Sequence, residues 1–239
     1  MPERSFTVED QTLKITGVLS DPTRYSIYQY LLTKKEGVTV LEIADKFEIH
    51  PNVARLHLSK LEDVELVHSK AEKTGKGGRP GRLYIPSDKV VSISFPPRDF
   101  QTLSDVALES LASLGKEGEE AFTKTGRKTG YEQAMEYIER TGINPSKMSL
   151  DELVPHILKL TGGQGLHPEI EKIDEYTLRF RVSTCTFKES TDKFGSVCKM
   201  HHMMLTGIFE AFFGRVDLIE EDKMAFGAPA CEYIMVQLP

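Results

Sequence analysis

The chain has 239 residues, 39% hydrophobic and 28% charged, with a net charge of −6. That length allows two domains of ordinary size, and the composition is that of a folded globular protein rather than a disordered or fibrous one. No apolar run approaches the roughly 18 residues of a membrane span, and no apolar stretch follows Met1-Pro2-Glu3-Arg4, so neither a membrane helix nor a secretory signal is expected and the chain is placed in the cytoplasm.

In chain order, Val8, Leu13, Ile15, Val18 and Leu19 give residues 7–19 a loose helical pattern. Asp21-Pro22 then starts a second helix, with aspartate as cap and proline at the first position, where no amide hydrogen is needed. Gly37 ends it. Val38-Thr39-Val40 reads as a small strand, and Leu41 to Phe47 as a short helix. His50-Pro51 opens the next helix, which runs to about Asp63. Ala54, Leu58 and Leu61 share its inner face, with Val53 and His57 beside them; Asn52, Arg55, Leu56, Ser59 and Lys60 lie opposite. Residues 66–71 and 82–85 read as two strands, joined by the basic, glycine-rich tip Thr74 to Gly81. A short apolar strand, Val90 to Phe95, bounded by Pro86, Pro96 and Pro97, closes the first domain.

Farther on, residues 99–140 read as helical, with weak spots at Gly115, Gly118, Gly126 and Gly130. A helix over 149–160, capped by Ser149, precedes a loop from Thr161 to Gly165. Tyr176 to Val182 alternates as a strand, Val197 to Phe213 is an apolar helix, and Glu232 to Leu238 is a last strand. The expected fold is α+β. A winged helix-turn-helix domain (1–96) is followed by a helical linker or dimerisation segment (97–147) and a C-terminal α+β sensor domain (148–239).

Two short helices followed by a basic hairpin are the layout of a unit that reads double-stranded DNA. The major groove admits a helix and shows base edges with distinct donor and acceptor patterns. Helix 51–63 would enter it, with Asn52 and Arg55 as base readers for adenine and guanine, and Leu56 beside them. Ser59 and Lys60 would meet phosphates, and Lys73, Lys76, Arg79 and Arg82 would track the backbone or minor groove. The acidic total does not oppose this, because contact depends on the local field. From Val67 to Lys89 six basic residues stand against two acidic ones. A solvated helical hairpin with a basic loop is the plainer alternative. A nucleotide-cradling loop at 75–81 lacks the Gly-Lys-Ser/Thr ending.

The segment Leu19-Ser20-Asp21-Pro22-Thr23-Arg24-Tyr25-Ser26-Ile27 resembles the opening helix of ArsR-type winged-helix regulators. Glu42-Ile43-Ala44 and Asn52 to Glu62 resemble that family's helix-turn-helix, and Gly78-Arg79-Pro80-Gly81-Arg82-Leu83-Tyr84 the wing of a subgroup with a Gly-Arg-Pro tip. The resemblance covers about residues 8–95. It implies DNA binding as a dimer on a near-palindromic operator, with the dimer built through 99–140 and 1–19.

The three cysteines, Cys185, Cys198 and Cys231, all lie in the last 55 residues. Cys198 and His201 stand i, i+3 on a predicted helix and can address one site. Thiolates and imidazole suit zinc, and thiolates suit iron–sulfur clusters. Reduced cysteine is equally a small buried hydrophobe, and Met203, Met204, Leu205, Ile208, Phe209, Phe212 and Phe213 around it read as core. Cys185-Thr186-Phe187, twelve residues, Cys198-Lys199-Met200-His201 and later Cys231-Glu232-Tyr233 resemble the sensor region of iron–sulfur repressors of the SUF cluster-assembly operon. This chain departs from them at Thr186, where those proteins carry proline, and at Phe212 to Gly214, where they carry a further cysteine. The resemblance implies an iron–sulfur cluster on Cys185, Cys198 and Cys231, with His201 as candidate fourth ligand; zinc, or a small organic ligand with structural cysteines, are the alternatives. No acid or base stands at a recognisable catalytic spacing, so the chain is expected to be a regulator and not an enzyme.

Overall fold

The computed structural model describes residues 8–34, 36–72, 81–87, 91, 93–96 and 98–239. Two compact units divide the chain, Met1–Arg98 and Asp99–Pro239. Among the described residues, no helix is long and apolar enough to cross a membrane.

The N-terminal unit follows from its caps. After helix α1 (Val8–Leu19), the Asp21 carboxylate accepts a hydrogen bond from the Arg24 amide at 2.8 Å and Pro22 opens α2 (Pro22–Leu32). That same amide bond holds the Asp21 carboxyl below its ordinary range. Strand β1 is only Val38–Thr39, because Thr39 accepts from the Glu42 amide and so starts α3 (Val40–Lys46) one residue earlier than the apolar pattern suggests. His50 Nδ1 accepts from the Asn52 amide at 3.2 Å and Pro51 begins α4 (Pro51–Glu62). Strands β2 (Val67–Glu72) and β3 (Gly81–Pro86) form an antiparallel hairpin, and the sheet order is β1-β3-β2. Gly37, at φ 88°, lies against β3: a Cβ there would fall 2.7 Å from the Tyr84 carbonyl oxygen. Ile15, Ile27, Leu31, Ile43, Leu58, Leu61 and Tyr84 make the core under these elements.

A strand is expected over Val90 to Phe95, and the described residues of that span are not in one. Its described residues, Val91 and 93–95, pair with no neighbour. Val91 instead packs singly against the N-terminal core. Pro96, which has no amide hydrogen, cannot extend a ladder.

The C-terminal unit contains α5 (Phe100–Ser113), α6 (Lys116–Thr141), α7 (Leu150–Gly163), β4 (Pro168–Lys172), β5 (Thr177–Val182), the short α8 (Lys188–Thr191), α9 (Ser196–Phe213), β6 (Val216–Asp222) and β7 (Cys231–Gln237). The sheet is antiparallel in the order β4-β5-β7-β6. Leu178, Phe180 and Val182 of β5, Tyr233 and Met235 of β7 and Leu218 of β6 point to one face. There they meet Leu205, Ile208, Phe209 and Phe212 of α9, Ile157 of α7 and Tyr137 of α6. The alternate β5 residues turn outward: Arg179 pairs with Glu171 and Glu221, and Arg181 with Glu169 and Glu232. An antiparallel sheet with one apolar and one charged face needs helices on a single side only.

Residues 97–147 are therefore more than a linker, since α6 is built into the core. Gly126 and Gly130 of α6 lie against Met200 and Met204 of α9, and Gly207 of α9 lies against Arg127 and Tyr131 of α6. A Cβ at Gly130 would lie 1.9 Å from the Met204 carbonyl oxygen, and one at Gly207 2.0 Å from that of Arg127. Two of the four glycines read from sequence as helix-weakening, Gly126 and Gly130, are where the backbone of α6 meets that of α9. The expected loop at Thr161 is instead the end of α7, where the buried Thr161 hydroxyl donates to the Ile157 carbonyl at 2.7 Å. Two strands, β4 and β6, carry no expectation from the sequence.

Candidate functional site

Helix α4 is divided lengthwise. Ala54, Leu58 and Leu61 are fully buried, and His57 nearly so. Asn52, Arg55, Leu56 and Lys60 are exposed and Ser59 is half-exposed. Val53, expected beside the inner face, is instead 41% exposed, and Leu56 is 55% exposed. With 3.6 residues per turn, the outer arc runs Arg55, Ser59, Asn52, Leu56, Lys60, Val53. The Arg55 guanidinium donates from Nη1 to Asn52 Oδ1 at 3.1 Å. Lys60 stands 3.5 Å from Asp63, and Arg82, largely exposed on β3, stands 3.9 Å from Glu62. Ser69 of β2 donates to the same Glu62 at 2.6 Å and ties the hairpin to the end of α4. Lys73, Lys76 and Arg79 lie outside the described residues.

The second candidate site is at one end of the C-terminal sheet. Register pairs Val182 with Cys231, the first residue of β7, and Cys185 follows three residues after Val182. Cys198 is in the first turn of α9, with His201 one turn on. All three thiols are free and half-buried. Burial raises the pKa of Cys185, which the Phe187 amide's hydrogen bond to its sulfur partly offsets; the charges of Cys231 and Cys198 add to the rise. Burial also raises Cys198, with Cys231 adding and Lys223 opposing. The Met224 amide lies 3.4 Å from Cys231 Sγ and donates to it.

The His201 ring is 8% exposed, and its buried Nε2 has no hydrogen-bond partner. Desolvation, and then the neighbouring His202, lower its pKa to about 4, so the imidazole is neutral at ordinary pH. Phe187 meets it edge-on at 5.1 Å. His202, by contrast, is satisfied: its Nε2 lies 2.7 Å from the Leu218 carbonyl oxygen and its ring stacks on Tyr233. Burial, followed by Cys231, raises the Tyr233 phenol. Tyr233 and Phe187 were not singled out from sequence, although each stands two residues after a cysteine. On a strand that spacing puts Tyr233 on the same face as Cys231. Thiols and a neutral imidazole have the donor chemistry of a soft-metal site. Among the described residues, no three Cys, His, Asp or Glu side chains are grouped closely enough to be a ready ligand set.

The chain has no match among curated proteins. Of solved structures, it is similar to the phenol-responsive sensory domain of the transcription activator PoxR with phenol, at 16% identity and a TM-score of 0.45, covering 77% of this chain and 89% of that one. It is also similar to a trafficking protein particle complex subunit 3 from Naegleria fowleri covalently bound to palmitic acid, at 12% identity and a TM-score of 0.43, covering 58% and 97%. Residues 19–70 match the family model of a helix-turn-helix domain, a span that takes in α2, α3, α4 and the start of β2. The N-terminal unit carries a helix-turn-helix domain.

Proposed function

We propose that this chain is a DNA-binding transcription regulator. Helix α4 docks in the major groove, with Arg55 and Leu56 at base edges and Asn52 between them on the exposed arc. Ser59, Lys60, Lys73, Lys76, Arg79 and Arg82 meet the phosphate backbone. The observation that carries this reading is the division of α4: an apolar side buried in a helix-turn-helix domain and a polar, cationic side left to solvent. Two copies act on a near-palindromic operator. The exposed Phe100, Leu103 and Val106 of α5, with Leu114 just after its last turn, support a dimer through that helix.

The C-terminal unit receives the signal. Cys185, Cys198 and Cys231, with the unpartnered nitrogen of His201, would hold an iron–sulfur cluster, the cofactor that the resemblance implies; zinc is the alternative. Such a group would supply redox sensitivity. The chain's own part is to keep the His201 imidazole neutral, and so able to donate a lone pair, and to screen the site with Phe187. A second reading, a small organic ligand, has support in a groove of about 360 Å³ between α6 and α7, lined by Gln133, Tyr137, Arg140, Lys159 and Gln164.

The test has two parts. Selection from a randomised duplex pool, followed by fluorescence anisotropy, is expected to return one preferred, two-fold-related sequence; equal affinity for all duplexes overturns the DNA-binding reading. Iron and zinc analysis with a visible spectrum on anaerobically purified protein is expected to show bound iron that Cys198→Ser removes. Metal-free protein that still selects its operator overturns the cluster and favours the organic ligand.

A further inference from the structure

An asparagine reads adenine by laying its amide in the plane of the base, accepting from the amino group with its oxygen and donating to the ring nitrogen. In this protein that oxygen already accepts from Arg55, one helical turn away, at 3.1 Å. The bond directs the Asn52 amide oxygen to Arg55 instead of leaving it open for an adenine amino group. It uses one of the five guanidinium N–H donors and leaves the others for a planar acceptor pair. Asn52 and Arg55 are both exposed, and a solvent-facing hydrogen bond of this kind adds little to stability. Its effect is to restrict where the long Arg55 side chain can go, which lowers the ordering cost of binding.

The next residue on the arc is apolar. Leu56 lies beside Asn52, with Val53 farther round on the same flank, and both expose large fractions of their surface although the core of the unit is complete without them. The one apolar feature on the floor of the major groove is the thymine methyl group.

We propose that Asn52 is a positioning residue that holds Arg55 for guanine, and that Leu56, flanked by Val53, reads a thymine methyl next to that guanine. The proposal rests on the DNA-binding reading above and adds the base preference of α4: guanine bordered by thymine, with no adenine read by Asn52.

The experiment uses the full-length protein and the duplex selected from the randomised pool, with every variant at an exposed position and its fold checked by circular dichroism. Arg55→Ala is expected to remove roughly tenfold or more of the discrimination at one guanine pair. Asn52→Ala should weaken discrimination at that same pair severalfold, and Asn52→Ala with Arg55→Ala should be no worse than Arg55→Ala alone. Asn52→Asp keeps the acceptor for Arg55 and should retain the guanine preference. Replacing the adjacent thymine by deoxyuridine, which lacks only the methyl, should weaken binding by wild type and leave Leu56→Ala unaffected.

Loss of preference at an adenine pair in Asn52→Ala, additive with Arg55→Ala, would overturn the positioning role while leaving the DNA-binding reading intact. Equal sensitivity of wild type and Leu56→Ala to deoxyuridine would overturn the methyl contact. A wild-type protein that selects no sequence would overturn both the proposal and the reading beneath it.

Discussion

At the scale of single residues, the protein separates groups that are satisfied from groups that are not. His202 has a carbonyl partner and an aromatic neighbour, whereas His201, one position earlier on α9, has a buried nitrogen with none. Neutrality is what lets His201 remain there. Its folded pKa of about 4 lies below the unfolded value of 6.5. Between those values the unfolded chain binds more protons than the folded one. The stability linked to the neutral ring is therefore complete above pH 6.5 and lost as pH falls toward 4, by about 3 kcal/mol over the window. Urea midpoints of the metal-free protein should fall between pH 6.5 and 4.5, and less steeply in His201→Leu. An identical slope in the two proteins would show that His201 is not buried as a neutral base. From sequence alone His201 could be named as a ligand candidate by its i, i+3 spacing from Cys198. Its missing partner could not, because orphaned burial is a property of surroundings drawn from α9 and the loop carrying Phe187.

At the scale of elements, the contact between α6 and α9 depends on absent side chains. Gly130 and Gly207 leave room for backbone against backbone, so an added methyl must push the helices apart. Gly130→Ala or Gly207→Ala is expected to destabilise the C-terminal unit by about 1–3 kcal/mol or more, the range for overpacking. This would occur although alanine is the better helix former. Gly17→Ala in α1 is the control: nothing stands within 4 Å of the added carbon, and a gain of about 1 kcal/mol is expected. Thermal or urea unfolding of the three variants separates the cases; matching gains in all three would mean that α6 and α9 do not meet at their glycines. Caps were legible in the sequence. Asp21-Pro22, His50-Pro51 and Ser149 all start helices where their chemistry predicts, because a cap is a contact within four residues. β6, whose Val216-Asp217-Leu218 does alternate, was obscured by its acidic end, Glu220-Glu221-Asp222, of which Glu221 and Asp222 are exposed while Glu220 pairs with Lys223.

At the scale of the whole molecule, a net charge of −6 and a cationic reading face coexist because phosphate contact responds to local charge. Affinity for duplex DNA should fall linearly with log salt, by a slope of about 0.9 for each phosphate contacted. Lys60→Ala should reduce that slope by about one and weaken all duplexes alike, whereas Arg55→Ala should weaken the selected duplex most. Anisotropy titrations at three salt concentrations measure both, and an unchanged slope in Lys60→Ala would remove that residue from the phosphate contacts. The sequence by itself determined the helix starts, the hairpin, the apolar side of α4 and the class of the two units. Each of these depends on periodicity or on contacts a few residues apart. Only the tertiary structure decided that Val53 faces solvent, that Asn52 is tied to Arg55, that the glycines of α6 are a packing surface, and that Cys231 pairs in register with Val182, three residues before Cys185, at one end of the sheet. Those facts depend on which distant segments are brought together and on which rotamers their packing leaves open. Local pattern does not encode either.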